Sequence, residues 1–277
     1  MTARGVLARL RMEWQAARRD PALTAMADAL RGAVALEPGG PSSLFGRLGV
    51  CPVYSRLAAL DTLDYADQTL WSGNQVGIEP RRRIIGEAGR LDAIADDSYD
   101  AVLASHVLEH LADPLGALAE WQRAVRDGGH LLLVLPHRDG TFDHRRPVTT
   151  VEHMRADQAN AVGEDDLTHL NEVLELHDIE RDPGSSSRAA FEQRCRENLS
   201  GRAIHHHVFN TPSAVETCHA AGLDVLGVRA EPPFNIVCLC RVGAGPGEPL
   251  GKEKLAQVLA TSPFPSDRTA DAGLLTA

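Results

Sequence analysis

Residues 98–136 read SYDAVLASHVLEHLADPLGALAEWQRAVRDGGHLLLVLP. The outer parts, SYDAVLAS (98–105) and HLLLVLP (130–136), are short apolar runs that predict buried strands. Between them, DPLGALAEWQRAVRDGG (113–129) predicts a helix that Asp113 caps, Pro114 starts and Gly128-Gly129 ends. Strand, crossover helix, strand is the repeating unit of a parallel sheet covered on both faces.

The same alternation extends outward. GAVALEPGGPSS (32–43) predicts a strand running into a tight loop, and CPVYSRLAALD (51–61) and RIIGEA (83–88) predict two more strands. Downstream, TPSAVETCHAAGL (211–223) predicts a capped helix, followed by DVLGVRAE and FNIVCLCRV as a closing strand pair joined through Pro232-Pro233. The expected class is α/β, a doubly wound sheet of seven strands, mostly parallel.

At 277 residues and 43% hydrophobic content the chain can bury one large core, so one domain with insertions is expected. A net charge of −10 works against a phosphate-tracking surface, and therefore against nucleic acid as a partner. Neither a basic, apolar leader nor an apolar run of about 18 residues is evident, so a soluble, cytoplasmic protein with no membrane association is expected. The five cysteines (51, 195, 218, 238, 240) are odd in number and scattered, which suits reduced thiols; Cys238 and Cys240 read as packing on one strand face.

Apolar residues at near-helical spacing over 6–31, broken around Asp20-Pro21, predict two amphipathic helices forming an N-terminal cap over 1–31. They would cover a pocket or pair subunits, which makes a homodimer the expected assembly. The main domain is expected over 32–242. Within it, 137–210 turns polar and holds eight of the twelve histidines; so long a stretch between core elements predicts a helical and loop insertion on the substrate side. Gly, Pro, Ala and Ser dominate after 243, which predicts a flexible tail to 277 apart from a helical turn at 252–260.

Ligands of doubly wound sheets sit beyond the carboxyl ends of the strands. Glu37 closes the first predicted strand, and Gly39 and Gly40 let backbone approach a ligand. Asp61 ends the second, with two oxygens able to hold a ribose diol; Glu87 and Ala88 end the third; Ser105 and His106 end the fourth. Glu109 and His110 follow, either touching a ligand or serving helix-start electrostatics, and Trp71 in TLWSG either lies against an adenine or staples a loop to the sheet.

The succession ALEPGG, ALD, GEAGRL and the 98–136 block resembles the class I S-adenosylmethionine-dependent methyltransferases over roughly residues 33–242. That resemblance implies a Rossmann-like sheet and S-adenosylmethionine as cofactor, with Glu37, Gly39 and Gly40 at its methionine part. It implies Asp61 at the ribose, Glu87 and Ala88 at the adenine, and Ser105 and His106 beside the sulfonium. Two departures stand out: Pro38 and Pro41 flank a GG pair where the family has GxGxG, and Glu87 replaces a commoner Asp. LEPGGPS, TLWSG, TFDHRRPVTT, EDDLTHLNEVLELHD and HHHVFNT resemble a narrower group, actinobacterial O-methyltransferases of methylated mannose or glucose polysaccharides. This implies a sugar or oligosaccharide acceptor; a small natural product, or a non-catalytic scaffold of the same fold, are the alternatives.

A sugar hydroxyl is a poor nucleophile at neutral pH, so a neutral histidine, a carboxylate or a divalent cation such as Mg²⁺ must help remove its proton. TFDHRRPVTT (141–150) follows the fifth predicted strand closely, which puts His144 forward as the base and Asp143 as its orienting partner or a metal ligand. The bland reading makes these turn residues, with Arg145 and Arg146 paired to the acidic segment 164–166. In GEDDLTHLNEVLELHD (163–178), Thr168 could cap a helix. Asp166 and His169 offer oxygen and nitrogen ligands to a metal, His169 also counting as a catalytic candidate; acids at a helix start equally serve its dipole. In extended chain His205 and His207 point one way and His206 the other, as a catalytic wall or a structural cluster.

Overall fold

The computed structural model describes residues 20–69, 78–182, 184–185 and 187–269. Trp71 and the first predicted N-terminal helix lie outside the described residues; the second is α1 (Pro21–Ala29), capped by Asp20. Seven strands form one sheet: β1 (Val34–Pro38), β2 (Ala59–Asp64), β3 (Arg82–Ile85), β4 (Tyr99–Ser105), β5 (Val125–Pro136), β6 (Asp224–Glu231) and β7 (Asn235–Arg241). Their order is β3-β2-β1-β4-β5-β7-β6, with β7 alone antiparallel to its neighbours. This is the Rossmann-like, mostly parallel arrangement expected from the sequence.

Alternation along β5 divides the core between the two faces. Leu131, Leu133 and Leu135 pack with Trp121, Leu118 and Val215 on one side, and Leu132 and Val134 pack with Met26, Phe45 and Leu103 on the other. The helix over 98–136 is shorter than the sequence suggests. It is α2 (Pro114–Ala124), capped by Asp113 accepting from Gly116 N at 2.8 Å, and Val125 already belongs to β5. The two glycines form a bulge in the strand rather than the helix end: Gly128 has φ +76°, and a Cβ on Gly129 would lie 2.6 Å from the Asp100 carbonyl oxygen.

The second strand is displaced as well. The 51–58 segment is a loop with one 3₁₀ turn at Tyr54–Arg56, and β2 continues through Thr62 and Leu63 to Asp64. The insertion expected over 137–210 contains α3 (Val151–Ala159), α4 (Leu170–Leu176), α5 (Arg188–Arg196) and α6 (Asn198–Gly201), followed by α7 (Thr211–Ala220) of the main body. Leu170, Val173, Phe191, Cys195 and Ile204 form a small core of their own, whereas Met154 of α3 sits in the main one. No helix among the described residues is long and apolar enough to cross a membrane.

The expected flexible tail is, over its described part, folded. Helices α8 (Lys252–Thr261) and α9 (Pro265–Thr269) return to the domain, and Leu255 and Leu259 join the main core. Asp267 is buried and accepts from His137 Nε2 (3.0 Å), Thr211 N (3.0 Å), Thr211 Oγ1 (2.6 Å) and Ser262 Oγ (2.6 Å). Low local hydrophobicity hid this closure, because its anchor is one polar residue rather than an apolar run. Replacing Asp267 by Ala strands several buried donors at once and should lower unfolding free energy by about 3 kcal/mol in urea titration.

Candidate active site

Beyond the carboxyl ends of β1, β2 and β4 lies a cavity of about 890 Å³, roofed in part by the insertion. That volume accommodates a nucleotide-sized ligand together with a second small molecule.

The first wall is the turn after β1. Gly39 has φ +70°, a region that glycine enters without strain, and its missing Cβ would meet Val107 Cγ2 at 2.8 Å. Glu37 does not face the cavity. Its carboxylate tucks beneath the turn, accepting from Tyr54 Oη (2.8 and 3.1 Å) and from Ser42 N at 2.9 Å, and a Cβ on Gly40 would lie 2.3 Å from its carboxyl carbon. Burial pushes the Glu37 pKa up to about 8. Gly39, Pro41 and Ser42 reach the cavity, whereas Glu37 and Gly40 shape the turn from behind.

The second wall corrects the placing of Asp61. Asp61 pairs in register with Leu36 inside the sheet and is fully buried, bonded by Arg81, Arg82 and Tyr99 Oη. Burial alone would raise its pKa, but these hydrogen bonds outweigh it and hold the carboxyl well below the usual range. The acid facing the cavity is Asp64, at the true end of β2, whose pKa burial pushes up to about 6 against the opposing charge of Arg83. The second aspartate of LDTLD was its only local signal.

Glu87 and Ala88, after β3, line the cavity as expected. Arg202 reaches across from the insertion to donate to Glu87 Oε1 at 2.8 Å, and its guanidinium lies 5.4 Å from the Tyr65 ring centre. Ser105 and His106 also line it. Ser105 Oγ takes a hydrogen bond from Ser42 Oγ at 3.0 Å, and His106, with φ +53°, donates from Nε2 to Asn235 Oδ1 at 3.1 Å. Burial brings the His106 pKa down to about 4.

The insertion supplies the remaining wall, and here the structure rearranges the expected residues. His144 turns away from the cavity and donates to Asp178 Oδ2 at 2.8 Å, where Arg145 also pairs. Asp143 is buried and accepts from His205 Nδ1 at 2.6 Å and from Arg146 Nη1 at 3.0 Å. Burial would raise the Asp143 pKa, but His205 and Arg146 hold it at about 2. His205, which lines the cavity, has its pKa lowered by burial and raised further by Asp143, with a net rise. Neither arginine pairs with 164–166: Arg146 bonds instead to Asp143, Glu172 and the His205 carbonyl. The strict alternation expected of the histidine triplet is absent, because the chain bends at 206–207; His206 and His207 face His169 while His205 faces the cavity.

Beside His205 stand Glu109 and His110. Both carboxylate oxygens of Glu109 are buried without a hydrogen-bond partner, and burial pushes its pKa up to about 7 against the pull of His205. His110 donates from Nδ1 to the Ile204 carbonyl at 3.0 Å and places Nε2 3.9 Å from Glu109 Oε1. Among the described residues two donor sets could hold a metal: Glu109–His110–His205 in the cavity and His153–Asp157–His169 outside it. Asp166 belongs to neither. Its oxygens accept from Thr168 N (3.2 Å) and Thr168 Oγ1 (2.6 Å), and α4 starts at Leu170, after His169, rather than at Thr168.

A family described as a methyltransferase domain matches residues 45–133. No curated protein matches the chain. Among solved structures, an S-adenosylmethionine-dependent methyltransferase from Mesorhizobium loti is 15% identical with a TM-score of 0.47, the match covering 80% of this chain and 96% of that one. A counterpart from Listeria monocytogenes is 14% identical with a TM-score of 0.47, covering 83% and 99%. The 1,6-didemethyltoxoflavin-N1-methyltransferase of Burkholderia thailandensis is 14% identical with a TM-score of 0.45, covering 88% and 92%. The domain match lies across β2 to β5 of a sheet in this strand order, beside a cavity open beyond its strand ends, so residues 45–133 are similar to a methyltransferase domain.

Proposed function

We propose that the protein is an S-adenosylmethionine-dependent methyltransferase, that its acceptor is a hydroxyl of a sugar or oligosaccharide, and that His205, oriented by Asp143, takes the hydroxyl proton. The observation that carries this reading is the 2.6 Å Asp143–His205 hydrogen bond at a cavity wall that also holds the unpartnered carboxylate of Glu109. With Nδ1–H given to Asp143, the His205 lone pair is on Nε2, the tautomer a base requires. Glu109 would receive or donate a hydrogen bond to a neighbouring acceptor oxygen, as a polyol supplies in number.

The cofactor, when bound, supplies a methyl group on a sulfonium. Asp64 would hold the ribose hydroxyls, Glu87 and Ala88 would border the adenine, the Gly39–Ser42 turn would border the methionine part, and Ser105 and His106 would stand near the sulfur. Magnesium assistance fits these residues poorly, since Mg²⁺ takes oxygen ligands in an octahedron and the cavity set offers two imidazoles and one carboxylate.

Four expectations test this assignment. Affinity for S-adenosylhomocysteine, measured by calorimetry, should fall as pH drops through about 6, because protonated Asp64 loses acceptor capacity for the diol. Asp64→Asn should weaken it by about 10- to 100-fold while Asp61→Asn leaves it unchanged. His205→Ala should lower kcat by about 100- to 10,000-fold with S-adenosylhomocysteine affinity retained. In Asp143→Asn the His205 pKa drops, so the rising limb of the pH–rate profile should move to lower pH. Screening sugars, phenols and nitrogen heterocycles with methyl-labelled donor decides the acceptor; label on nitrogen would reject the hydroxyl reading, as would His205→Ala at full rate.

A further inference from the structure

The second donor set lies outside the cavity, where α3 passes the segment entering α4. His153 and Asp157 are one turn apart on α3, with His153 Nε2 3.3 Å from Asp157 Oδ2. His169, immediately before α4, brings its Nε2 to 3.2 Å from His153 Nε2. All three donor atoms lie within 4.8 Å of one another, and the His206 and His207 rings stand behind, 6.0 and 5.8 Å from the His169 ring.

These spacings have a specific meaning. Ligand atoms at about 2.0–2.1 Å around a tetrahedral zinc are about 3.3–3.4 Å apart, and the separations of 3.3 and 3.2 Å lie close to that edge. Hydrogen bonding explains the group less well. Two imidazole Nε2 atoms facing each other can share only one proton, and Asp157 Oδ2 is shielded from solvent with no hydrogen-bond partner.

We propose that His153, Asp157 and His169 bind a first-row transition-metal dication of the zinc type, with water in the fourth position. Imidazole donors select this class over Mg²⁺ and Ca²⁺, which take oxygen. The cation would staple two separately packed parts of the insertion: α3 is anchored in the main core by Met154, whereas α4 belongs to the small core through Leu170 and Val173. The proposal is independent of the acceptor and of the cavity chemistry.

Metal-free full-length protein titrated with Zn²⁺ against a chromophoric chelator should take up one equivalent with micromolar or tighter affinity, and its thermal midpoint should rise with added Zn²⁺. Substituted Co²⁺ should give the intense visible absorption of a tetrahedral site. His153→Ala, Asp157→Asn and His169→Ala should each weaken uptake by about 100-fold or more, while Glu109→Gln leaves it intact. His153 is exposed, so its variant should keep the fold, as circular dichroism would verify. Uptake that survives His153→Ala and His169→Ala, vanishes with Glu109→Gln, or fails to reach stoichiometry overturns the proposal.

Discussion

The guanidinium of Arg146, with only 1% of the residue exposed, holds the insertion together. It donates to Asp143 and Glu172 and to the backbone carbonyls of His205 and His206, so one buried charge ties three distant segments. A buried arginine cannot shed its proton, and every segment near it must therefore supply an acceptor. The same Asp143 that neutralises it also holds the cavity imidazole. The position of His205 is thus a by-product of satisfying Arg146.

The opposite wall is built on another principle. There a carboxylate lies beneath a glycine turn rather than against a charge, and Glu37 organises the turn by accepting from Tyr54 and Ser42. Backbone faces the cavity on that side and side chains face it on the other. On the proposed function, the rigid strand ends would meet the cofactor and the polar insertion the acceptor.

How far the sequence revealed this depends on the range of the interaction. The strands were readable because alternation and glycine punctuation are local, and β4, α2 and β5 follow one another without interruption. Asp61 was displaced by a strand boundary: two aspartates in LDTLD compete, and only the register against β1 shows that Asp64 stands at the edge. The sequence points to His144 because its stretch closely follows the fifth strand, whereas the histidine that Asp143 bonds lies 62 residues away. Asp267 was missed for the same reason, since nothing near it in sequence reports its bonds to His137 and Thr211.

The five-residue core of the insertion has a kinetic consequence. So few apolar side chains hold much less free energy than the sheet beneath them, so this region should fall at the low-stability end of the molecule and open before the strands do. Exchange of amide protons would register it as a separate, faster population. Passage of a bulky acceptor in and out then calls for no hinge in the sheet, only the transient loosening of a roof that was never packed as tightly as the floor.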